Sequence, residues 1–348
     1  MTKHLYIHIP FCNQICSFCD FKRIKTNDYE IMEKYVNKII NQIRLCSLPH
    51  QYETIYLGGG TPNYLPNELL NKLLNCLNKY LNKNYEFTIE CNPDLVTDLQ
   101  VQIFVQNNVN RISLGVQSTN NEILKEMRRT HNIEQVQTAI DLLHKYNIHN
   151  ISCDFIYDLP NTTLNDLENE IEFLKKNKIL HVSFYALEIK DNSVLRKQDY
   201  QLDLVNQESK MEYLHNLLNK NNYYRYEVSN FSLDSKYNSQ HNLAYWLTND
   251  WKAIGYGACG FEHGYYYEVM GSIDNFYVTK CEQLTNEDFN LQILMMGLRL
   301  SNGLDLNNEK YKKAFLHFKD KLENYEIKNN KLKIKNIDLL NDTLIKII

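Results

Sequence analysis

The chain has 348 residues, 43% of them apolar, and its 38 Lys plus Arg against 42 Asp plus Glu leave a formal charge of −4. Such a length supports a large buried core, with one large domain and a smaller satellite as the expectation. So even a charge balance gives no basis for general nucleic-acid binding, and no charge-free apolar run of about 18 residues is present to span a membrane, although a peripheral membrane contact stays open.

The opening MTKHLYIHIPF lacks the basic stretch, apolar core and small-residue cleavage site of an export signal. Of nine cysteines, Cys12, Cys16 and Cys19 are clustered and the other six dispersed. This distribution predicts a reducing cytoplasm in which three cysteines serve as ligands, rather than a disulfide framework.

Short β-rich runs then alternate with helical segments. Leu5–Ile9 is the first predicted strand and leads into the cysteines; Thr54–Leu57 is the second and leads into Gly58, Gly59, Gly60 and Thr61. Leu69, Leu70, Leu73, Leu74, Leu77 and Leu81 recur at helical spacing behind a helix start at Asn67 and Glu68. Glu86–Ile89 ends on Glu90, and Arg111–Leu114 runs on toward Gln117. Val136, Ala139, Ile140 and Leu143 form the apolar side of a helix over 133–146. Ile151–Ile156 carries Asp154, a further helix covers 163–174, and His181–Tyr185 is the sixth strand. Such alternation predicts parallel βα units, and polar residues just past successive strands would share one barrel rim, where active sites are assembled. Taken alone, each of these residues reads as a cap or a turn; their joint recurrence points to a site. Six units by about residue 187 predict an α/β fold with an incomplete (β/α)6 TIM-like barrel.

Beyond residue 187 the pattern changes. A helix is expected over 202–218, then an extended YYRYEVSNF and a polar, glycine-bearing stretch. From about residue 280 a smaller α+β region is expected, with LQILMMGLRL and a lysine-rich segment helical and KLKIKNI and TLIKII forming a hairpin.

Cys12-x3-Cys16-x2-Cys19 carries the most information. Three thiolates on one short loop can surround a soft metal centre. A structural zinc or a saturated [4Fe–4S] cubane needs four, and the next cysteine is Cys46, so one iron of a cubane would stay open to another molecule. Zinc completed by His8 or His4 is the plainer alternative.

The string IHIPFCNQICSFCDF at 7–21 resembles the signature of the radical S-adenosylmethionine (SAM) superfamily, and more narrowly the subfamily of oxygen-independent coproporphyrinogen III oxidases and HemW-type heme chaperones. YLGGGTP (56–62), ECNPD (90–94), RISLGVQS (111–118), DFIYDLP (154–160), HVSFYALE (181–188), SNF (229–231) and HNLAYW (241–246) continue the match over roughly the first three quarters of the chain. Asp158 stands where that family usually carries glycine. The resemblance implies a radical SAM core over 1–235 and a C-terminal region over 236–348, small, helical and winged-helix-like from about 280. It implies that Cys12, Cys16 and Cys19 hold a [4Fe–4S] cluster whose fourth iron takes the amino and carboxylate groups of SAM. Gly59 and Thr61 would meet the methionine portion. Glu90, Gln117, Arg129 and Asp154 would surround the cofactor, with Tyr6 beside the cluster and Arg128 a bystander.

Within the subfamily, the oxidases carry a further cysteine where this chain has Phe21, and an extension ahead of the signature. Both differences favour the chaperone group. His241 in HNLAYW matches a histidine implicated in heme handling there, which makes it a candidate heme ligand with Tyr245 and Trp246 packing the macrocycle; a local hydrogen bond and a core tryptophan are the plainer alternative. The expected function is therefore a cytoplasmic, heme chaperone-like protein that binds the cluster and SAM and transfers heme. The alternatives are a coproporphyrinogen III oxidase or other small-molecule radical enzyme, and an interaction module that keeps the cluster for stability or redox sensing. An electron donor such as flavodoxin or ferredoxin and a heme-accepting protein are the implied partners.

Overall fold

The computed structural model describes residues 1–347. Strand and helix alternate through β1 (His4–Ile9), α1 (Tyr29–Cys46), β2 (Tyr52–Gly59), α2 (Asn67–Asn78), β3 (Leu81–Cys91), α3 (Asp98–Gln106), β4 (Arg111–Gln117), α4 (Asn121–Glu126), α5 (Ile133–Lys145), β5 (Ile151–Ile156), α6 (Leu164–Lys176), β6 (His181–Tyr185) and α7 (Leu204–Lys220). Strands β1 to β6 pair in chain order and in parallel. The fold class expected from the sequence is therefore the one observed.

Alternation of side chains along each strand builds two unlike faces. Leu5, Ile7, Leu57, Phe87, Ile112 and Val182 are fully buried in one apolar cluster with Val36, Leu70, Phe104, Ile140 and Ile171 of the surrounding helices. The other face is largely polar, yet also buried: His4, Thr54, Glu86, Arg111, Ser152 and His181. Hydrogen bonds make this tolerable. His181, for example, bonds the Ser152 and Tyr226 hydroxyls at 2.8 Å each.

Past β6 come β7 (Tyr224–Arg225), β8 (Asn230–Ser232), α8 (Gln240–Trp246), β9 (Trp251–Ile254), β10 (Cys259–Glu262), β11 (Tyr265–Gly271) and β12 (Phe276–Gln283). Among the described residues they complete a twelve-stranded sheet in the order β12-β11-β10-β9-β1-β2-β3-β4-β5-β6-β8-β7. β9 lies parallel to β1, with Tyr6 beside Ala253. α9 (Asn286–Gly297), β13 (Leu304–Asp305), α10 (Glu309–Phe318), β14 (Tyr325–Lys328), β15 (Lys331–Ile334) and α11 (Leu340–Ile345) follow around a second core that includes Leu294, Leu304, Phe315, Leu332 and Leu344. The first three residues of TLIKII end α11 rather than form a strand, its last residue lies outside the described residues, and β15 pairs with β14 and β13 instead. Burial of Leu340, Leu344 and Ile347 on that core outweighs the local β preference.

Asp158 needs no glycine, because it is absent from the residues with positive φ. Its buried carboxylate accepts the Leu187 N–H at 2.5 Å and a hydrogen bond from Gln207, tying the end of β5 to the segment after β6 and to α7. No helix among the described residues is long and apolar enough to cross a membrane.

Candidate cofactor site

The chain leaves β1 through Pro10 and Phe11 straight into the cysteine loop, which two neighbours pin down. Gly60 and Thr61 donate their N–H groups to the Ile9 and Phe11 carbonyls at 2.8 Å each, and Ser17 donates to the Met127 carbonyl at 3.1 Å. The approach of the glycine turn is so close that a Cβ on Gly60 would lie 2.8 Å from the Phe11 carbonyl oxygen and 2.9 Å from Cys12 Sγ. Gly59 has φ +114°, open to glycine at little cost, and a Cβ there would meet the His8 ring at 2.6 Å.

Cys12, Cys16 and Cys19 line a cavity of about 460 Å³ together with Gly59, Thr61, Glu90, Gln117, Arg129 and Asp154. Every residue assigned to the cofactor from the sequence reaches it except Tyr6. Tyr6 stacks on Tyr56 with ring centres 6.2 Å apart, and its hydroxyl bonds His8 Nδ1 at 3.0 Å. All three cysteines are free. Thr61 Oγ1 donates to Cys12 Sγ at 3.5 Å, and Arg129 Nη1 to Cys16 Sγ at 3.1 Å. Burial pushes the Cys12 thiol up, the Thr61 bond offsetting part of this, and pushes the Cys19 thiol to about 11. A metal centre would therefore displace protons as it binds. His8 does not complete a zinc site, since Nε2 bonds the Lys22 carbonyl at 2.7 Å and Nδ1 the Tyr6 hydroxyl. Among the described residues no three His, Cys, Asp or Glu side chains converge on a single ion.

The carboxylates sit on two strands and are held differently. Glu90 accepts from the Tyr56 hydroxyl at 2.8 Å and the Gly59 N–H at 3.0 Å. Burial pushes it up to about 7 despite both bonds. Asp154 accepts from Ser113, Ser152 and Ser183 hydroxyls at 2.7, 2.9 and 2.8 Å, one serine from each of β4, β5 and β6. Burial raises it as well, with the three serines opposing.

Arg129 is locked by its surroundings. Nη2 donates to Asn92 Oδ1 at 2.8 Å and the Gly115 carbonyl at 3.1 Å, and lies 3.3 Å from His131 Nδ1. Since His131 Nε2 meets the Val116 carbonyl at 3.1 Å, that nitrogen carries the proton and Nδ1 accepts. Burial and Arg129 hold His131 down at about 3, hence neutral. Arg128, by contrast, is exposed.

Gln117 has φ +65°, and the Ser118 N–H closes back on the Val116 carbonyl at 2.9 Å, a γ-turn that strains a non-glycine residue. Its Oε1 is buried without a partner, as is Arg129 Nε. Thiols, a fixed cation, two carboxylates and unpaired polar atoms in one cavity match a soft metal cluster and a zwitterionic sulfonium ligand.

His241 is not part of this cavity. It is 1% exposed, with Nδ1 2.6 Å from Thr54 Oγ1 and Nε2 2.7 Å from the Tyr245 hydroxyl, so neither ring nitrogen is free for iron. Trp246 packs instead toward the C-terminal core. Sequence reasoning did not single out Tyr56, Asn92, Ser113, Ser183 or His131. The available signal was position: Ser113 and Ser183 fall two residues along from Arg111 and His181 on the inward side of their strands.

The pattern of the Radical SAM superfamily matches residues 6–174. The heme chaperone HemW of Lactococcus lactis subsp. lactis is 34% identical over 324 residues, 89% of this chain and 84% of that protein. Its counterpart in Bacillus subtilis is 30% identical over 332 residues, 89% and 87% respectively. The solved structure of coproporphyrinogen III oxidase (HemN) from Escherichia coli, a radical SAM enzyme, covers 99% of this chain and 90% of its own with a TM-score of 0.82; at 17% identity that likeness shows the fold alone. With its cysteine loop, its six parallel units and relatives of this identity along nearly its whole length, the chain belongs to the HemW family of the radical SAM superfamily.

Proposed function

We propose that this protein is a heme-handling chaperone of the cytoplasm in which Cys12, Cys16 and Cys19 hold a [4Fe–4S] cluster and the adjoining cavity binds SAM. The observation that carries the reading is the convergence of the three thiols, Arg129, Glu90, Asp154 and the unpaired Gln117 Oε1 on one cavity. When bound, the reduced cluster supplies the electron for cleavage of the SAM sulfonium. The chain's own residues bind and orient. Arg129 keeps a fixed positive charge against Cys16. Glu90 and Asp154 offer acceptors to ribose hydroxyls and the ammonium group. Gln117 Oε1 accepts a donor from the ligand.

The names of the relatives support heme as cargo. Phe21, 63% exposed at the mouth of the cavity, stands where the oxidases carry a cysteine, which argues against porphyrinogen oxidation. A reductant such as flavodoxin or ferredoxin and a heme-accepting protein are the partners this reading requires.

Anaerobic reconstitution tests it. About four irons and four sulfides per chain are expected, with occupancy greatly reduced by Cys12→Ala, Cys16→Ala or Cys19→Ala. SAM should perturb the electron paramagnetic resonance signal of the reduced cluster, and Asp154→Ala should weaken that response without removing iron. Heme should bind, and coproporphyrinogen III should keep all four of its propionates. Stoichiometric zinc without a cubane spectrum, or decarboxylation of coproporphyrinogen III, would overturn the reading.

A further inference from the structure

HNLAYW occupies α8, a helix that closes the polar end of the strand bundle away from the cysteines. Glu86 caps it, accepting the Gln240 and His241 N–H groups at 2.9 and 3.0 Å. Inside, the Thr54 hydroxyl lies between two histidines, 3.0 Å from His4 Nδ1 and 2.6 Å from His241 Nδ1. One hydroxyl has one proton to give, so one imidazole receives it and the other supplies its own. Tyr245 OH engages the remaining nitrogen of His241. Thus fastened, the His241 ring lies against Tyr56, with centroids 5.1 Å apart and planes at 25°. Tyr56 also stacks on Tyr6, with ring centres 6.2 Å apart. The ring so clamped is the one whose hydroxyl donates to Glu90 Oε1.

We infer that His241 and Tyr56 are positioning residues for SAM: the α8 imidazole fixes the Tyr56 ring, and the Tyr56 hydroxyl fixes the Glu90 carboxylate that faces the cofactor. This rests on the SAM site proposed above. It gives the HNLAYW histidine a task that involves no bond to iron, and it links the floor of the bundle to its rim through a single side chain. The groups that bear on Glu90 are Tyr56 of β2, Arg111 of β4 and Asp154 of β5. The Gly59 N–H of β2, Tyr6 of β1, Cys91 of β3, Tyr185 of β6 and Tyr245 of α8 act on it as well. Among the described residues only Tyr56 bonds it from a side chain.

The test uses the full-length, cluster-loaded protein, with SAM affinity measured calorimetrically between pH 6 and pH 9 and heme binding followed by the Soret band. Tyr56→Phe, which preserves the ring, should weaken SAM roughly tenfold at pH 7, the scale of one lost hydrogen bond to a charged group. It should also move the midpoint of the pH dependence upward, with iron content unchanged. His241→Ala should act in the same direction, and His241→Phe, which restores a ring against Tyr56, should recover most of the loss. An iron-ligand role predicts instead that both His241 variants lose the heme spectrum and leave SAM affinity alone, and that outcome would overturn the inference. So would wild-type SAM affinity and midpoint in Tyr56→Phe, a variant that decides the matter even if His241→Ala does not fold. If the wild-type protein binds no SAM, the SAM reading fails and the inference with it; if it binds SAM and the variants do not differ, only the inference fails.

Discussion

A carboxyl group pushed up to about 7 in a cofactor cavity ties ligand binding to stability. The ordinary glutamate value is near 4.5, so between about pH 4.5 and 7 the unfolded chain releases a proton that the folded chain keeps. Folding therefore loses stability as pH rises through that window, by at most about 3 kcal/mol, and the loss is complete above it. Glu90→Gln should accordingly raise the melting temperature of the cofactor-free protein more at pH 8 than at pH 5 while weakening SAM; an equal gain at both values would show that Glu90 is not held protonated. Gln117 separates the same two quantities in another way. Replacing it with glycine relieves the left-handed backbone and should stabilise the fold by about 1 kcal/mol in thermal unfolding. It also removes the unpaired acceptor, so SAM affinity should fall. The cysteines were legible as sequence because ligands on one loop betray themselves by spacing. Ser113 and Ser183 were not, because their partner Asp154 lies on another strand and only the parallel register brings them together; nor was His131, whose role depends on the Val116 carbonyl of β4 and on how Arg129 folds back.

α8 shows how an element of seven residues can serve two cores. His241 and Tyr245, four apart, share the side turned to the barrel, whereas Leu243, Trp246 and the flanking Leu247 pack on the C-terminal cluster, with Arg299 5.6 Å from the Trp246 ring. Read from sequence, its aromatic content suggested a macrocycle; the two-sided burial answers to the helical period. Asp158 is the comparable knot at the end of β5. Asp158→Ala would leave the Leu187 N–H without its acceptor and free the Gln207 side chain, at a cost of about 1–3 kcal/mol. Denaturant unfolding should register that loss, while iron content, set by residues elsewhere, should not change. The six parallel strands were readable because each is an apolar alternation bounded by polar residues. Amphipathic α1, with Met32, Tyr35, Val36, Ile39, Ile40 and Ile43 buried, was legible in principle by the same helical spacing and went unread beside the cysteine loop. Strands β9 to β12 offered less, since their partners are one another and β1 rather than a regular βα unit.

On the scale of the whole molecule, β1 is an interior strand, with β2 on one flank and β9 on the other. A chain ended after residue 235 would bare the β9 side of β1, a row of unpaired backbone donors and acceptors beside the cysteine loop. Such a fragment should self-associate in size-exclusion chromatography and hold less iron on reconstitution than a chain ended after residue 284, which retains the full sheet. The same placement bears on how the protein is made. β1 and β2 are complete by residue 59, but β9 ends at Ile254, roughly 200 residues later. At about 5–20 residues per second, a ribosome needs about 10–40 s to cover that interval. For that time β1, and with it the cysteine loop that follows it, is supported from one side only, and the loop gains its final setting when β9 closes on the open flank.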